Sequence, residues 1–183
     1  VEPGMERENL NTLDMHILSV LQENCKLPLV KIGERVGLSA PSVIERIKKL
    51  EEGGVIRGYT AILDARKLGK DITAFIGVSI NHPTLITAFE TKIASFEDIQ
   101  ECHHVTGEYT LLLKVKANNT TSLEELIRQI RSIEGVERTE TSVVLSTYTE
   151  GLWLALGSQD PLDGARHEEN GTVSLELKAR RSA

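Results

Sequence analysis

Leu13, Ile17, Val20 and Leu21 recur at intervals of three and four, which predicts a helix that starts behind Asn11. Asn11 is a good N-cap, and Asp14 is favourably placed in the first turn. "CKLP" breaks this pattern, and a short second helix over about 30–36 offers Ile32 and Val36 to the same core. Gly37 stands where a helix C-cap needs positive φ. Only "LS" separates it from a third helix, capped by Ser39 and tolerant of Pro41 in its first turn. Val43, Ile47 and Leu50 form the buried stripe of that helix, with Ile44 beside it. Ser42, Glu45, Arg46 and Lys49 are expected on the opposite face, and the helix runs out at Gly53–Gly54. Two helices joined by a tight turn, the second with a polar outer face, predict a helix-turn-helix. "VIRGYTAILDARKLG" is expected to form a strand, as a wing or a connector.

The second half changes period. Ile72, Ala74, Ile76, Val78 and Ile80 alternate as in a strand, and Leu85, Phe89 and Ile93 then mark a helix face. "IQECHHV" predicts a second strand, "TGE" a tight turn, and "YTLLLKV" a third strand with Tyr109, Leu111, Leu113 and Val115 on one side. Thr121 and Glu124 are spaced as a capping box, opening a helix with Leu123, Leu126, Ile127, Ile130 and Ile133 inward. "VERTETSVVLSTY" predicts the fourth strand. The order is βαββαβ, a ferredoxin-like sandwich, so the fold class is α+β. One face of such a sheet stays open, which favours pairing between subunits. The expected organisation is a winged helix-turn-helix over 1–57, a connecting strand and linker over 58–71, a regulatory domain over 72–157 and a polar appendage over 158–183, where "GTVSLELKA" has the pattern of a short strand.

The chain's 183 residues suffice for one large or two small domains, and 40% hydrophobic content supplies their cores. Aromatic residues make up only 4%, which argues against stacking on exposed bases. No apolar run reaches the roughly 18 residues of a membrane span, and "VEPGMEREN" lacks the hydrophobic stretch of a secretory signal; a cytoplasmic location is expected. Cys25 and Cys102 are far apart and are expected to be reduced, partly buried thiols. The net charge is −6, yet residues 29–58 hold six basic and four acidic side chains, net +2, leaving −8 elsewhere. Affinity for DNA depends on local phosphate contacts, so an acidic protein with a weakly basic reader is expected to use several tethered copies.

"LDMHILSVLQEN", "VGLSAPSVIERIKKLEEGGVIRGYTAIL" and "IQECHHVTGEYTLLLKV" together resemble the Lrp/AsnC, or feast/famine, family of transcription regulators. The resemblance spans about residues 10–150. It implies double-stranded DNA as a partner, read through residues 39–49, with Ser39, Ala40, Pro41, Ser42, Glu45, Arg46 and Lys49 at the interface. It also implies a RAM/ACT-like second domain that binds a small effector, often an amino acid, between subunits of a homodimer assembling to a tetramer or octamer. The effector loop falls on Val105, Thr106, Gly107, Glu108, Tyr109 and Thr110, faced by Thr141, Ser142 and Val143. The family often has an acidic residue where this chain has Thr110. That departure weakens the case for a standard amino-acid ammonium contact, because a charge-assisted bond is about twice as strong as a neutral one.

The "ECHHV" stretch raises two other chemistries. In "ECHHV", adjacent histidines of a strand point to opposite faces, so His103 and His104 do not readily share a metal; Cys102 and His104 share a face, but two ligands are too few. No metal or cofactor is expected. Haem-pathway decarboxylases acting on sirohaem-type tetrapyrroles resemble the same two-domain fold, and His103 and His104 keep that enzyme reading as the alternative to a non-enzymatic regulator.

Overall fold

The computed structural model describes residues 10–156. These residues form two compact units, one of residues 10–60 with 151–156 and one of residues 61–150. The appendage expected over 158–183 lies outside the described residues.

The first unit contains α1 (Thr12–Glu23), α2 (Leu29–Val36) and α3 (Ala40–Glu52). The expected cap of α1 is a full capping box: the Asp14 N–H donates to the Asn11 side chain, and the Asp14 carboxylate accepts from the Asn11 N–H. Ile17, Leu18, Ile32, Val36, Val43 and Leu50 form the core. Gly37 ends α2 at φ 72°, as its position predicts, and Ser39 caps α3. Ile44 departs from expectation. It is half exposed and takes no part in the core, because Val43 and Leu50 already fill the facing space. The strand expected from Val55 onward is absent; residues 57–64 have no regular secondary structure and no partner strand within the chain. Residues 151–156, expected in the regulatory domain, belong instead to the helical unit. Leu156 packs on its core, and the Gln22 amide both donates to the Leu154 carbonyl (3.1 Å) and accepts from its N–H (2.8 Å).

The second unit is the expected βαββαβ fold: β1 (Ile72–Ile80), α4 (Ile86–Ile93), β2 (Ile99–His104), β3 (Leu111–Ala117), α5 (Thr120–Arg131) and β4 (Val136–Val143). The sheet is antiparallel in the order β2-β3-β1-β4. Ala74, Ile76, Val78, Leu111, Leu113, Val115 and Ala117 point to one face, where Phe89, Ile93, Leu123, Leu126 and Ile130 of α4 and α5 cover them. The cap of α5 sits earlier than expected. Asn119, a stronger N-cap than threonine, accepts from the Ser122 N–H at 2.9 Å, and the Ser122 hydroxyl returns the bond. Both cysteines are exposed rather than partly buried: Cys25 lies in the turn after α1, and Cys102 lies on β2, the edge strand of the sheet.

The turn between α2 and α3 rests on close backbone packing. A Cβ built on Gly33 would fall inside contact distance of the Leu38 carbonyl oxygen, a backbone atom that cannot swing aside. Glycine to alanine within a helix ordinarily stabilises by about 0.5–1 kcal/mol. Here the sign should reverse, with Gly33→Ala costing about 1–3 kcal/mol through overpacking. The midpoint of urea denaturation of the two proteins checks this, and a raised midpoint refutes it.

Candidate DNA-binding helix and effector turn

The second helix of the helix-turn-helix, α3, owes its rotation to its buried stripe and to Arg46. The Arg46 guanidinium lies 2.7 Å from the Asp14 carboxylate and 3.3 Å from the Asn11 side-chain oxygen, so it ties α3 to the capping box of α1. The pair is largely sheltered, with side-chain exposures of 29% and 15%. Arg46 was expected on the free outer face. The structure instead directs it sideways onto Asp14, a carboxylate 32 residues away whose partnership no periodicity announces. Ser42 is also partly engaged: its hydroxyl meets that of Ser39 at 2.9 Å, and its N–H donates to Ser39 Oγ at 3.4 Å.

The residues that do face outward along the middle of α3 are Pro41, Ile44, Glu45, Lys48 and Lys49. Lys48 was missing from the expected set. The signal for it was present, since it follows Ile44 by four positions and Pro41 by seven along one helical line. Lys49 pairs with Glu45 at 3.0 Å and Lys48 with Glu52 at 3.6 Å. The Lys49 ammonium, by hydrogen bonding first and then by charge, holds the Glu45 carboxyl below its usual range. Such exposed pairs are weak and open readily to an incoming phosphate.

In the sheet unit the turn from β2 to β3 is as expected, built around Gly107 at φ 120°, with nothing within 4 Å of where its Cβ would stand. The Val105 N–H donates to the Thr110 carbonyl at 3.2 Å, closing the turn. Among the described residues, the backbone N–H groups of Thr106, Gly107, Glu108 and Tyr109 donate to no partner. Thr110 is a strut between strands: its N–H donates to the Val78 carbonyl (3.0 Å) and its hydroxyl accepts from the Ile80 N–H (3.1 Å), at the irregularity of β1.

Tyr109 was expected beside Leu111 on the buried side. It precedes β3 and its ring crosses the open face instead, where a Cβ on Gly77 would come within 2.6–2.8 Å of the ring. Gly77 is therefore the seat of that ring, and Arg138 lies over it at 5.9 Å from the centroid. The Arg138 guanidinium bridges Glu108 and Glu140, each at 2.8 Å. Hydrogen bonding to Arg138 holds the Glu140 carboxyl below its usual range, and Glu140 in turn holds the Tyr109 phenol above its own. Arg138 and Glu140 went unnoticed in the sequence, although their spacing of two in "VERTE" puts them on one face.

Thr141 and Ser142 do not act together in one chain. Thr141 pairs with buried Ile76 and Ser142 with half-exposed Phe75, which places them on opposite faces of β4. The same alternation separates His103, opposite Leu112, from Cys102 and His104, opposite Leu113 and Leu111. His103 lies 3.2 Å from Glu101, and Glu101 lies 3.0 Å from Lys114. A groove of about 370 Å³ between α4 and the edge of β2, lined by Glu90, Ile93, Ala94, Ile99 and Cys102 among others, includes none of the expected effector residues.

A helix-turn-helix with two exposed lysines on its outer face, joined to a one-sided sheet with an open-backbone turn, defines a class: transcriptional regulators with a DNA-binding domain and a ligand-binding domain. The sequence matches the AsnC-type helix-turn-helix domain over residues 10–51 and the Lrp/AsnC ligand binding domain over residues 73–154. It is 36% identical over 144 residues to the HTH-type transcriptional regulator FL11 of Pyrococcus abyssi, covering 79% of this chain and 95% of that protein. It is 38% identical over 142 residues to the leucine-responsive regulatory protein of Rhizobium meliloti, covering 76% and 91%. Among solved structures, a transcriptional regulator from Neisseria meningitidis in complex with L-methionine is similar with a TM-score of 0.77 and 31% identity, over 80% of this chain and 97% of that one. The feast or famine regulatory protein from M. tuberculosis complexed with L-methionine is similar with a TM-score of 0.75 and 26% identity, over 79% and 98%. The chain belongs to the Lrp/AsnC family of transcriptional regulators.

The placement of Arg46 yields a prediction. Arg46→Ala should destabilise the helical unit by about 1–2 kcal/mol, the worth of a sheltered hydrogen bond to a charged group. Asp14→Asn should give a similar loss, and the double variant little more. Chemical denaturation of all three checks the coupling; additive losses would show that the two residues do not act as a pair.

Proposed function

We propose that this protein is an amino-acid-responsive transcription regulator that reads duplex DNA through α3 and takes its effector at the turn over residues 105–110. The observation that carries the effector class is the pair of L-methionine complexes among its structural relatives. The turn offers fitting chemistry. Four backbone N–H groups stand without partners around Gly107, and such a nest holds a carboxylate. Thr106 adds a hydroxyl. Glu108 is the nearby carboxylate for an ammonium group, and binding would draw it from Arg138. The Thr110 hydroxyl is already committed to Ile80, so it contributes through the shape of the turn.

On the DNA side, the N-terminal turn of α3 at Ser39 and Ala40, together with Lys48 and Lys49, meets phosphates, and Ser42 and Glu45 approach base edges. Arg46 acts as the clamp that aims them. The regulator works as a homodimer that assembles further. The open sheet face around Phe75 and the unpaired segment with exposed Tyr59, Ile62 and Leu63 support this, since a second copy would cover both. The Tyr59 phenol, pushed up to about 12 first by burial and then by its bond to Glu51, stays neutral there. No helix among the described residues is long and apolar enough to cross a membrane, in keeping with a cytoplasmic regulator. The relatives are regulators, which favours a non-enzymatic role over tetrapyrrole decarboxylation.

Calorimetric titration of L-methionine tests the effector site. Thr110→Asp keeps an acceptor for the Ile80 N–H and adds a charge, so it should bind more tightly than the parent. No heat from either protein, with the fold intact, would refute the amino-acid site. Light scattering at micromolar concentration should show a dimer or larger; a monomer would refute the assembly.

A further inference from the structure

One feature of α3 is absorbed neither by the core nor by the charge pattern. Ile44 is 50% exposed and is not among the residues that pack on the helical core. It lies three positions after Pro41 and four before Lys48, both exposed, so the three form one line on the outer surface. It also lies in the first half of the helix, the part that approaches base edges when such a helix enters the major groove. The Arg46–Asp14 clamp fixes the rotation of α3, so Ile44 does not turn inward.

We infer that Ile44 is a specificity-determining residue that reads a thymine through its 5-methyl group. The inference rests on α3 being the DNA-facing helix. The isoleucine side chain has no donor or acceptor, so it discriminates among bases only by shape and apolar contact. In the major groove the thymine methyl is the apolar group a base pair presents. Lys48, one turn further along the same line, has an ammonium suited to a phosphate of the adjoining backbone. An isoleucine is also a poorer helix former than alanine, so local propensity gives no reason for it at an exposed position.

The test starts from a duplex selected by the full-length protein from a random pool. Each thymine is then replaced singly by deoxyuridine, which removes only the methyl group, and dissociation constants are measured at fixed salt. For the parent protein, one position in each half-site should lose about fourfold in affinity, the worth of one methyl group taken out of water. In Ile44→Ala that loss should vanish, with thymine and deoxyuridine bound alike, while Ile44→Val should retain most of it. Two results overturn the inference while leaving α3 as the DNA-facing helix. One is a parent protein indifferent to every deoxyuridine. The other is an Ile44→Ala variant that keeps the full discrimination. If Ile44→Ala leaves DNA binding unchanged but alters the assembly in light scattering, the residue faces a second copy of the chain and the inference also fails. A protein that enriches no duplex at all overturns the reading of α3 itself, and this inference with it.

Discussion

The contact between Arg46 and Asp14 sets what the helical unit can present. Three short helices bury few large side chains, and a 13-residue helix held only by the apolar stripe of Val43, Ile47 and Leu50 could rock about its axis. Arg46 removes that freedom by gripping the Asp14 carboxylate and the Asn11 side chain that close the first turn of α1. The same two residues cap α1 with each other, so one small polar cluster both starts the first helix and orients the third. A cation lost to DNA contact becomes a constraint that aims the neighbours, and the outer face is defined by what the clamp leaves free.

The sheet unit repeats this arrangement with different chemistry. Strand alternation assigns Ala74, Ile76 and Val78 to the helix-covered side, and Gly77 between them leaves a shallow place on the other side. Tyr109 lies in that place, and Thr110 pins the chain to β1 on either side of the irregularity at Ile80. The turn over 105–110 is thus bounded by a seated ring and a hydrogen-bonded strut. Its tip remains bare backbone. A ligand that draws Glu108 from Arg138 would act on the residue that also stacks over Tyr109, so occupancy at the turn would be felt on the open sheet face where a second subunit would sit.

Most of the fold was legible because burial imposes a period. The stripe of α3, the alternation of β1 and β3, the caps at Asn11 and Ser39 and the bend at Gly37 follow from local spacing, and the structure has each of them. The failures share a cause. Arg46 to Asp14, Tyr109 to Gly77 and Arg138 to Glu108 depend on partners distant in the chain, which leave no local pattern. Ile44 failed for a subtler reason. A position 100° from a buried neighbour lies at the margin of a helical stripe, and only the packing decides on which side of that margin it falls. Thr141 and Ser142 could have been separated beforehand, since adjacent residues of a strand never share a face.

The same geometry bears on the puzzle of an acidic protein that reads DNA. With Arg46 bound to Asp14 and Arg35 to Glu23, the cations left on the outer face of α3 are Lys48 and Lys49, each loosely paired within its own helix. Two exposed lysines and a helix N-terminus supply few phosphate contacts, so a single head binds weakly and loses little when salt rises. Linking several heads would raise that affinity, and half-site spacing and phase would then enter the recognition as strongly as base contacts do. Residues 72–150 hold eleven acidic and six basic side chains, net −5, so the regulatory domain repels phosphate and the segment 29–58, net +2, is the part suited to approach it.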